Sequence, residues 1–181
     1  MNKTLTIIIA LLVVFSCKSP DARKPISVKT GSFIDASVER NKKLNAKEQA
    51  YIQKLLADKK IEYKASQSGF WYYYINKTDI DSLKTPSFGN IVSFNYNVKS
   101  LNGDLIYSND DIKTQNYAID QQELFTGLRE GLKLMKTGET VTFIFPSQKA
   151  YGYYGDNNKI GSNTPLVCEV TVNSITQIDS N

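Results

Sequence analysis

Between Val92 and Val98 the apolar residues Val92, Phe94, Tyr96 and Val98 alternate with Ser93, Asn95 and Asn97. A period of two predicts a strand with one buried and one wet face. Leu166, Cys168, Val170 and Val172 alternate in the same way with Val167, Glu169, Thr171 and Asn173, and the length of this run predicts a central strand. In FWYYYI after Gly69, Phe70, Tyr72 and Tyr74 fall on one side and Trp71, Tyr73 and Ile75 on the other. Val141, Phe143 and Phe145 alternate with Thr142 and Ile144, a strand apolar on both faces, and Pro146 ends it by removing a donor. Asn102-Gly103 marks a hairpin turn, Leu105 to Ser108 the returning strand, and Tyr117 to Ile119 a further short one.

The period becomes helical twice. Leu124, Leu128, Leu132 and Met135 form one apolar stripe, with Gly138 expected as a left-handed C-terminal cap and Lys133 and Lys136 near the negative end. Asn45, with Glu48 three residues on, predicts a capped helix start, and Ala50, Tyr51 and Leu55 its inner stripe beside Ile52 and Leu56. That helix either packs on its own domain or pairs two copies of the chain in a homodimer. The sum is an α+β fold: an antiparallel sheet curved around one short helix, preceded by an N-terminal helix.

Before Asn45 the pattern changes character. Lys3 and the apolar run Leu5 to Phe15 are far short of the roughly 20 residues a membrane span needs and fit a secretory signal. Val14-Phe15-Ser16-Cys17 resembles a bacterial lipobox, which makes Cys17 the expected lipid-bearing residue and the lipid the expected link to a membrane. Lys18 to Lys43 is rich in Ser, Pro, Lys, Asp and Asn and is expected as a flexible spacer, with slight helical potential around Phe33 to Val38. The expected organisation is a signal peptide over 1–16, a linker over 17–44, a helix and lead-in strand over 45–65, and the main domain over 66–181.

Composition narrows the chemistry. The formal net charge is +4 and the charges are dispersed, which argues against a nucleic-acid partner. There is no histidine and there are two cysteines, which excludes a His-based triad and leaves no metal or cofactor site to expect. With Cys17 assigned to lipid, Cys168 reads as a small buried hydrophobe rather than a nucleophile.

The spaced series GLREGL (127–132), MKTGE (135–139), Phe145-Pro146, AYG (150–152) and LVCEV (166–170) resembles the FKBP-type peptidyl-prolyl isomerases over about Ser66 to Ile178. The resemblance implies an enzyme that turns Xaa-Pro bonds in proline-containing polypeptides. The barrier to that rotation is about 18–20 kcal/mol and comes from amide resonance. Lowering it needs no proton transfer, only a dry pocket and a few aimed hydrogen bonds that favour the twisted amide. A chain without histidine is compatible with such chemistry.

Carried over by motif, Tyr96, Phe125 and Tyr151 are the expected catalytic residues, with the Phe125 N–H meeting the substrate carbonyl and the Tyr151 hydroxyl pointing into the pocket. Ile106, Tyr107, Leu124, Leu128, Ile160 and Cys168 are the expected substrate-binding residues. Four positions depart from the family pattern. Tyr107 stands where an Asp is usual, Leu128 for a Trp, Cys168 for a Phe, and Gln115 or Tyr117 for another pocket aromatic. On this reading the pocket lacks one carboxylate and part of its aromatic wall. Two functions follow: an isomerase acting on exported proteins, or a membrane-tethered binding module on the same scaffold. With its lipobox and N-terminal helix, the whole resembles the FKBP-domain lipoproteins associated with gliding motility in flavobacteria.

Overall fold

The computed structural model describes residues 30–178. Cys17 and the leader lie outside the described residues. The chain divides into two compact units, one ending at Val38 and one from Glu39 onward. Helix α1 spans Thr30–Ala57. It starts fifteen residues before the expected cap at Asn45, and the expected linker over 17–44 is helical from Thr30. The reason is visible in the sequence: from Ser32 to Ala57 there is neither Gly nor Pro, and the polar residues there cost a helix only about 0.7 kcal/mol each at most.

The second half of α1 packs on its own domain. Ile52 is fully buried, while Tyr51, expected on the inner stripe, is half exposed. Asn45 and Glu48 do not cap the helix. Asn45 Nδ2 donates to Gln148 Oε1 at 3.0 Å. Glu48 Oε1 accepts the Ser147 N–H at 2.6 Å. That N–H opens the 3-10 turn Ser147–Lys149, whose own cap, Pro146, offers no side-chain acceptor.

Seven antiparallel strands follow: β1 Lys64–Ala65, β2 Trp71–Asn76, β3 Ile91–Lys99, β4 Leu105–Tyr107, β5 Gln115–Ala118, β6 Thr140–Phe145 and β7 Leu166–Thr176. They are ordered β1-β2-β6-β7-β3-β4, with β5 also on β3. The long alternating strand β7 is central, as its pattern predicts. The outer edge of β3 is shared: β4 pairs Val98 and Lys99, and β5 pairs Ile91 to Phe94. Between them lies a one-turn helix, α2 (Asn109–Ile112), closed by a capping box in which Ser108 and Asp111 exchange bonds. Register shifts between Ser93 and Phe94 and between Tyr74 and Asn76 bend the sheet.

Helix α3 (Thr126–Leu132) lies against the core face of that sheet, with Leu128 and Leu132 fully buried. Its approach is close because two of its turns carry glycine. A Cβ on Gly127 would stand 2.4 Å from the Phe145 ring and 2.7 Å from the Lys149 carbonyl oxygen. One on Gly131 would stand 2.9 Å from the Phe143 ring. Those two rings stack at 5.4 Å, and Phe70 meets both edge-on. Around them Val92, Phe94, Val98, Val141, Leu166, Cys168, Val170 and Val172 complete the core. Gly138 does take a positive φ of 83°. It serves the turn into β6 rather than the helix end, and its N–H donates to the Val172 carbonyl at 2.8 Å.

Candidate active site

The start of α3 and the loop after the 3-10 turn face each other. Phe125 is the N-cap of α3 with φ −61° and ψ 143°, and its side chain has no oxygen with which to cap. Its carbonyl accepts the Arg129 N–H at 3.1 Å. Among the described residues, no group accepts from the Phe125 N–H. The Phe125 ring packs edge-on against Phe145 at 5.4 Å and lies 5.2 Å from the ring of Tyr151. Among the described residues the Tyr151 hydroxyl also has no hydrogen-bond partner. Leu124, Phe125 and Tyr151, with Gln122, Glu123 and Arg129 at the rim, line an open depression of about 560 Å³. The resemblance places two donors and an apolar wall here, and the structure brings them together.

Tyr96 lies beneath, almost buried, with its ring stacked on Phe94 at 5.6 Å. Burial, with Tyr151 and Cys168 nearby, pushes its phenol well above the ordinary tyrosine range. Burial also raises Tyr151 to about 12, helped by Cys168, Asp156 and Tyr107 close by. Both phenols are therefore neutral donors at physiological pH. Leu128 and Cys168, expected to touch substrate, are fully buried in the core. Their contribution is to support the wall from behind, and burial pushes the Cys168 thiol well up, consistent with an inert side chain. Ile106 and Tyr107 are half-buried against the core, and Ile160 is buried. Tyr117 is buried in the core, whereas the Gln115 amide donates back to the Ile112 carbonyl at 2.8 Å.

A carboxylate does stand beside position 107, but it comes from the loop and is bonded to Tyr107. The Tyr107 hydroxyl donates to Asp156 Oδ2 at 2.5 Å. Asp156 Oδ1 accepts the N–H groups of Asn158 at 2.9 Å and Ile160 at 2.8 Å. Burial raises the Asp156 carboxyl, but the bonds from Tyr107 and from those N–H groups outweigh it and hold the group below its ordinary value. Sequence reasoning missed Asp156. The signal was there in Gly155-Asp156-Asn157-Asn158, an Asx-turn composition in a loop flanked by pocket residues. At the rim Arg129 stands 3.6 Å from both Asp120 and Glu130, while Lys133 pairs the same carboxylates at 2.9 and 3.1 Å.

The arrangement has no activated nucleophile and no general base with a tuned pKa. It has two free donors beside an apolar wall, the equipment for holding and polarising an amide. Among solved structures the fold is similar to FkpA of Escherichia coli, with a TM-score of 0.60 and 23% identity over 96% of this chain and 82% of that one. It is also similar to a peptidyl-prolyl cis-trans isomerase of Pseudomonas syringae pv. tomato, with a TM-score of 0.56 and 22% identity over 79% of this chain and 96% of that one. At those identities the likeness shows the fold alone. A probable FKBP-type peptidyl-prolyl cis-trans isomerase, FkpA, of Neisseria meningitidis serogroup B is 30% identical over 87 residues, 48% of this chain. That match spans only 32% of the relative's length. The family model described as FKBP-type peptidyl-prolyl cis-trans isomerase matches residues 83–173, from the loop before β3 through most of β7 and across all the groups above. By that match the chain belongs to the FKBP-type peptidyl-prolyl cis-trans isomerase family.

Proposed function

We propose that the protein is a peptidyl-prolyl cis-trans isomerase of exported polypeptides, held at a membrane of the cell envelope by lipid on Cys17 and facing the periplasm. One observation carries the catalytic part: among the described residues the Phe125 N–H and the Tyr151 hydroxyl have no hydrogen-bond partner, and both sit beside the depression that Leu124 and the two rings line. Both residues are part-buried, so their donors stay open to a ligand carbonyl at the mouth of the depression. The Phe125 N–H takes the substrate carbonyl. The Tyr151 hydroxyl bonds more strongly as the amide twists and loses its resonance, and the apolar wall excludes the water that favours the planar form.

The test is Tyr151→Phe, which removes the donor and keeps the ring. Turnover of short Xaa-Pro peptides should fall about tenfold in kcat/KM, or ~1.4 kcal/mol, with an unchanged melting temperature. Unchanged turnover would remove Tyr151 from the mechanism. A second reading, a binding module with little turnover, is favoured by one observation: Leu128 and Cys168 are fully buried and lay no aromatic floor under the depression. A Tyr151→Phe protein without activity that still restores a null strain would establish that reading.

The lipobox-like Val14 to Cys17 supports anchoring, and the combination of leader, helix and domain supports a role in assembling gliding-motility machinery. Mass analysis of membrane-extracted protein should find residues 1–16 removed and Cys17 acylated; a soluble chain beginning elsewhere overturns the anchor. A homodimer through α1 is supported by the exposed Phe33, Ile34, Leu44 and Tyr51. Light scattering of the protein without its lipid checks it.

A further inference from the structure

The loop from Tyr151 to Ile160 carries a pocket residue at each end. Between them the backbone takes conformations that do not hold themselves: φ is positive at Gly152, Gly155 and Asn157. At Gly155 a Cβ would stand 2.1 Å from the Ile160 carbonyl oxygen, so the turn is drawn as tight as a chain can be. Ordering such a segment costs about 1–2 kcal/mol per residue of backbone entropy. Something must hold it.

Its base is tied by the Gly152 N–H to the Ser147 carbonyl at 2.9 Å, by the Asn163 N–H to the Gly152 carbonyl at 2.8 Å and by the Ser162 hydroxyl to the Tyr153 carbonyl, and two further sets of bonds hold the tip. The first is internal to the loop. Asp156 Oδ1 gathers the Asn158 and Ile160 N–H groups, and the Asp156 N–H donates to the Ile160 carbonyl at 3.1 Å. This fixes the tip to itself but not to the domain. The second set reaches across 49 positions of sequence to β4: the Tyr107 hydroxyl donates to Asp156 Oδ2 at 2.5 Å. It also accepts the Lys159 N–H at 3.3 Å, and the Lys159 ammonium lies 4.8 Å from the centre of the Tyr107 ring. Tyr107 thus bonds to the loop through its hydroxyl and meets it again through its ring face.

We propose that Tyr107 and Asp156 form a positioning pair that holds the 151–160 loop in its substrate-binding conformation, with Asp156 acting on Tyr151 and Ile160 through the loop. In this chain position 107 works as a donor to the loop rather than as a carboxylate offered to a ligand. The acid of the pocket is committed, since Asp156 accepts three bonds from the chain itself. The charged and titratable groups around the pair are Lys159 and Tyr151 on the loop side, and Asp111 of α2, which lies within electrostatic reach of Lys159. The kinetic consequence rests on the isomerase reading; the loop's order does not.

The experiment compares Tyr107→Phe, Asp156→Asn and the double variant with wild type. Each single variant should lower kcat/KM on an Xaa-Pro peptide by about fivefold, mainly through KM, and the double should be no worse than the weaker single. Melting temperatures should stay within about 2 °C of wild type. Amide exchange at Asn158 and Ile160 should quicken about tenfold in Tyr107→Phe, although neither amide touches the removed oxygen. Effects that multiply in the double variant overturn the pair as a unit. Unchanged exchange in Tyr107→Phe overturns the positioning role, even with altered kinetics. Should the wild-type protein turn over no peptide, the isomerase reading fails while the exchange measurement still decides the fate of the pair.

Discussion

Replacing Gly127 by alanine tests whether the close seating of α3 on the sheet sets both stability and site geometry. By intrinsic propensity alone the change should stabilise the helix by about 1 kcal/mol. The structure opposes this. The new methyl would stand 2.4 Å from the Phe145 ring and 2.7 Å from the Lys149 carbonyl oxygen, both well inside van der Waals contact. The ring is packed by Phe70, Phe125 and Phe143, and the carbonyl is backbone, so neither can swing aside. With ring and backbone both in the way the overpacking cost lies at the upper end of the usual range and beyond, about 2–4 kcal/mol, so after the gain in propensity a net loss of ~1–3 kcal/mol is expected. In a chain of this size that is roughly 2–12 °C of melting temperature. Gly131→Ala is the control. Its methyl first meets the edge of the Phe143 ring, at 2.9 Å and beyond, with overpacking of about 1–3 kcal/mol, and the net cost should be ~0–2 kcal/mol. Urea unfolding gives both numbers, provided the slope is unchanged. The Lys149 carbonyl lies two residues before Tyr151, so Gly127→Ala should also lower kcat/KM by more than Gly131→Ala. A Gly127→Ala protein that melts at or above wild type would refute the argument.

Three further outcomes are expected. Tyr107→Asp restores the family's usual residue yet should weaken binding of an Xaa-Pro peptide, because the new carboxylate faces Asp156 and the bond to the loop is lost; peptide titration decides, and tighter binding would mean that Tyr107 does not hold Asp156 in solution. Glu48→Ala leaves the buried Ser147 N–H without an acceptor and should cost about 1–3 kcal/mol in urea unfolding, with Glu48→Gln recovering part of it. Stability should fall as the solution becomes alkaline: Tyr74 and Tyr151 are raised, first by burial, to about 12 from an unfolded value of 10.0, so the folded chain keeps protons the unfolded chain releases. The melting temperature should be flat from neutral pH to about pH 10 and drop between about pH 10 and 12.

The strands were legible because burial and sequence share one period. Val92 to Val98 and Leu166 to Val172 alternate, and their Cα partners are Val98 with Cys168 and Tyr96 with Val170, which puts the two apolar sets on one face. The N-terminal helix was legible in kind and not in extent. Asn45 and Glu48 have the composition of a cap, yet their side chains answer to Gln148 and Ser147, about a hundred residues away. A capping box is a local signal, and a tertiary acceptor for the same side chains looks no different in sequence. The true box, Ser108 to Asp111, lay in a polar stretch without apolar periodicity to draw attention to it.

Asp156 shows why the site was harder to read than the fold. Carrying a family's residues over position by position assumes that each chemical group enters the pocket from the same strand. The pocket requires only that the group arrive. Here the hydroxyl comes from β4 and the carboxylate from the loop, so a tyrosine at 107 reads as a loss until the loop is placed beside it. The exchange has a physical cost. A carboxylate on a strand is held by the ladder, whereas one on a loop must be held by its own bonds, and Asp156 accepts two backbone N–H groups for that purpose. A carboxylate so committed offers less to a ligand and more to the loop. The departure at 107 therefore bears first on how firmly Tyr151 is held, and only through that on how well an amide is turned.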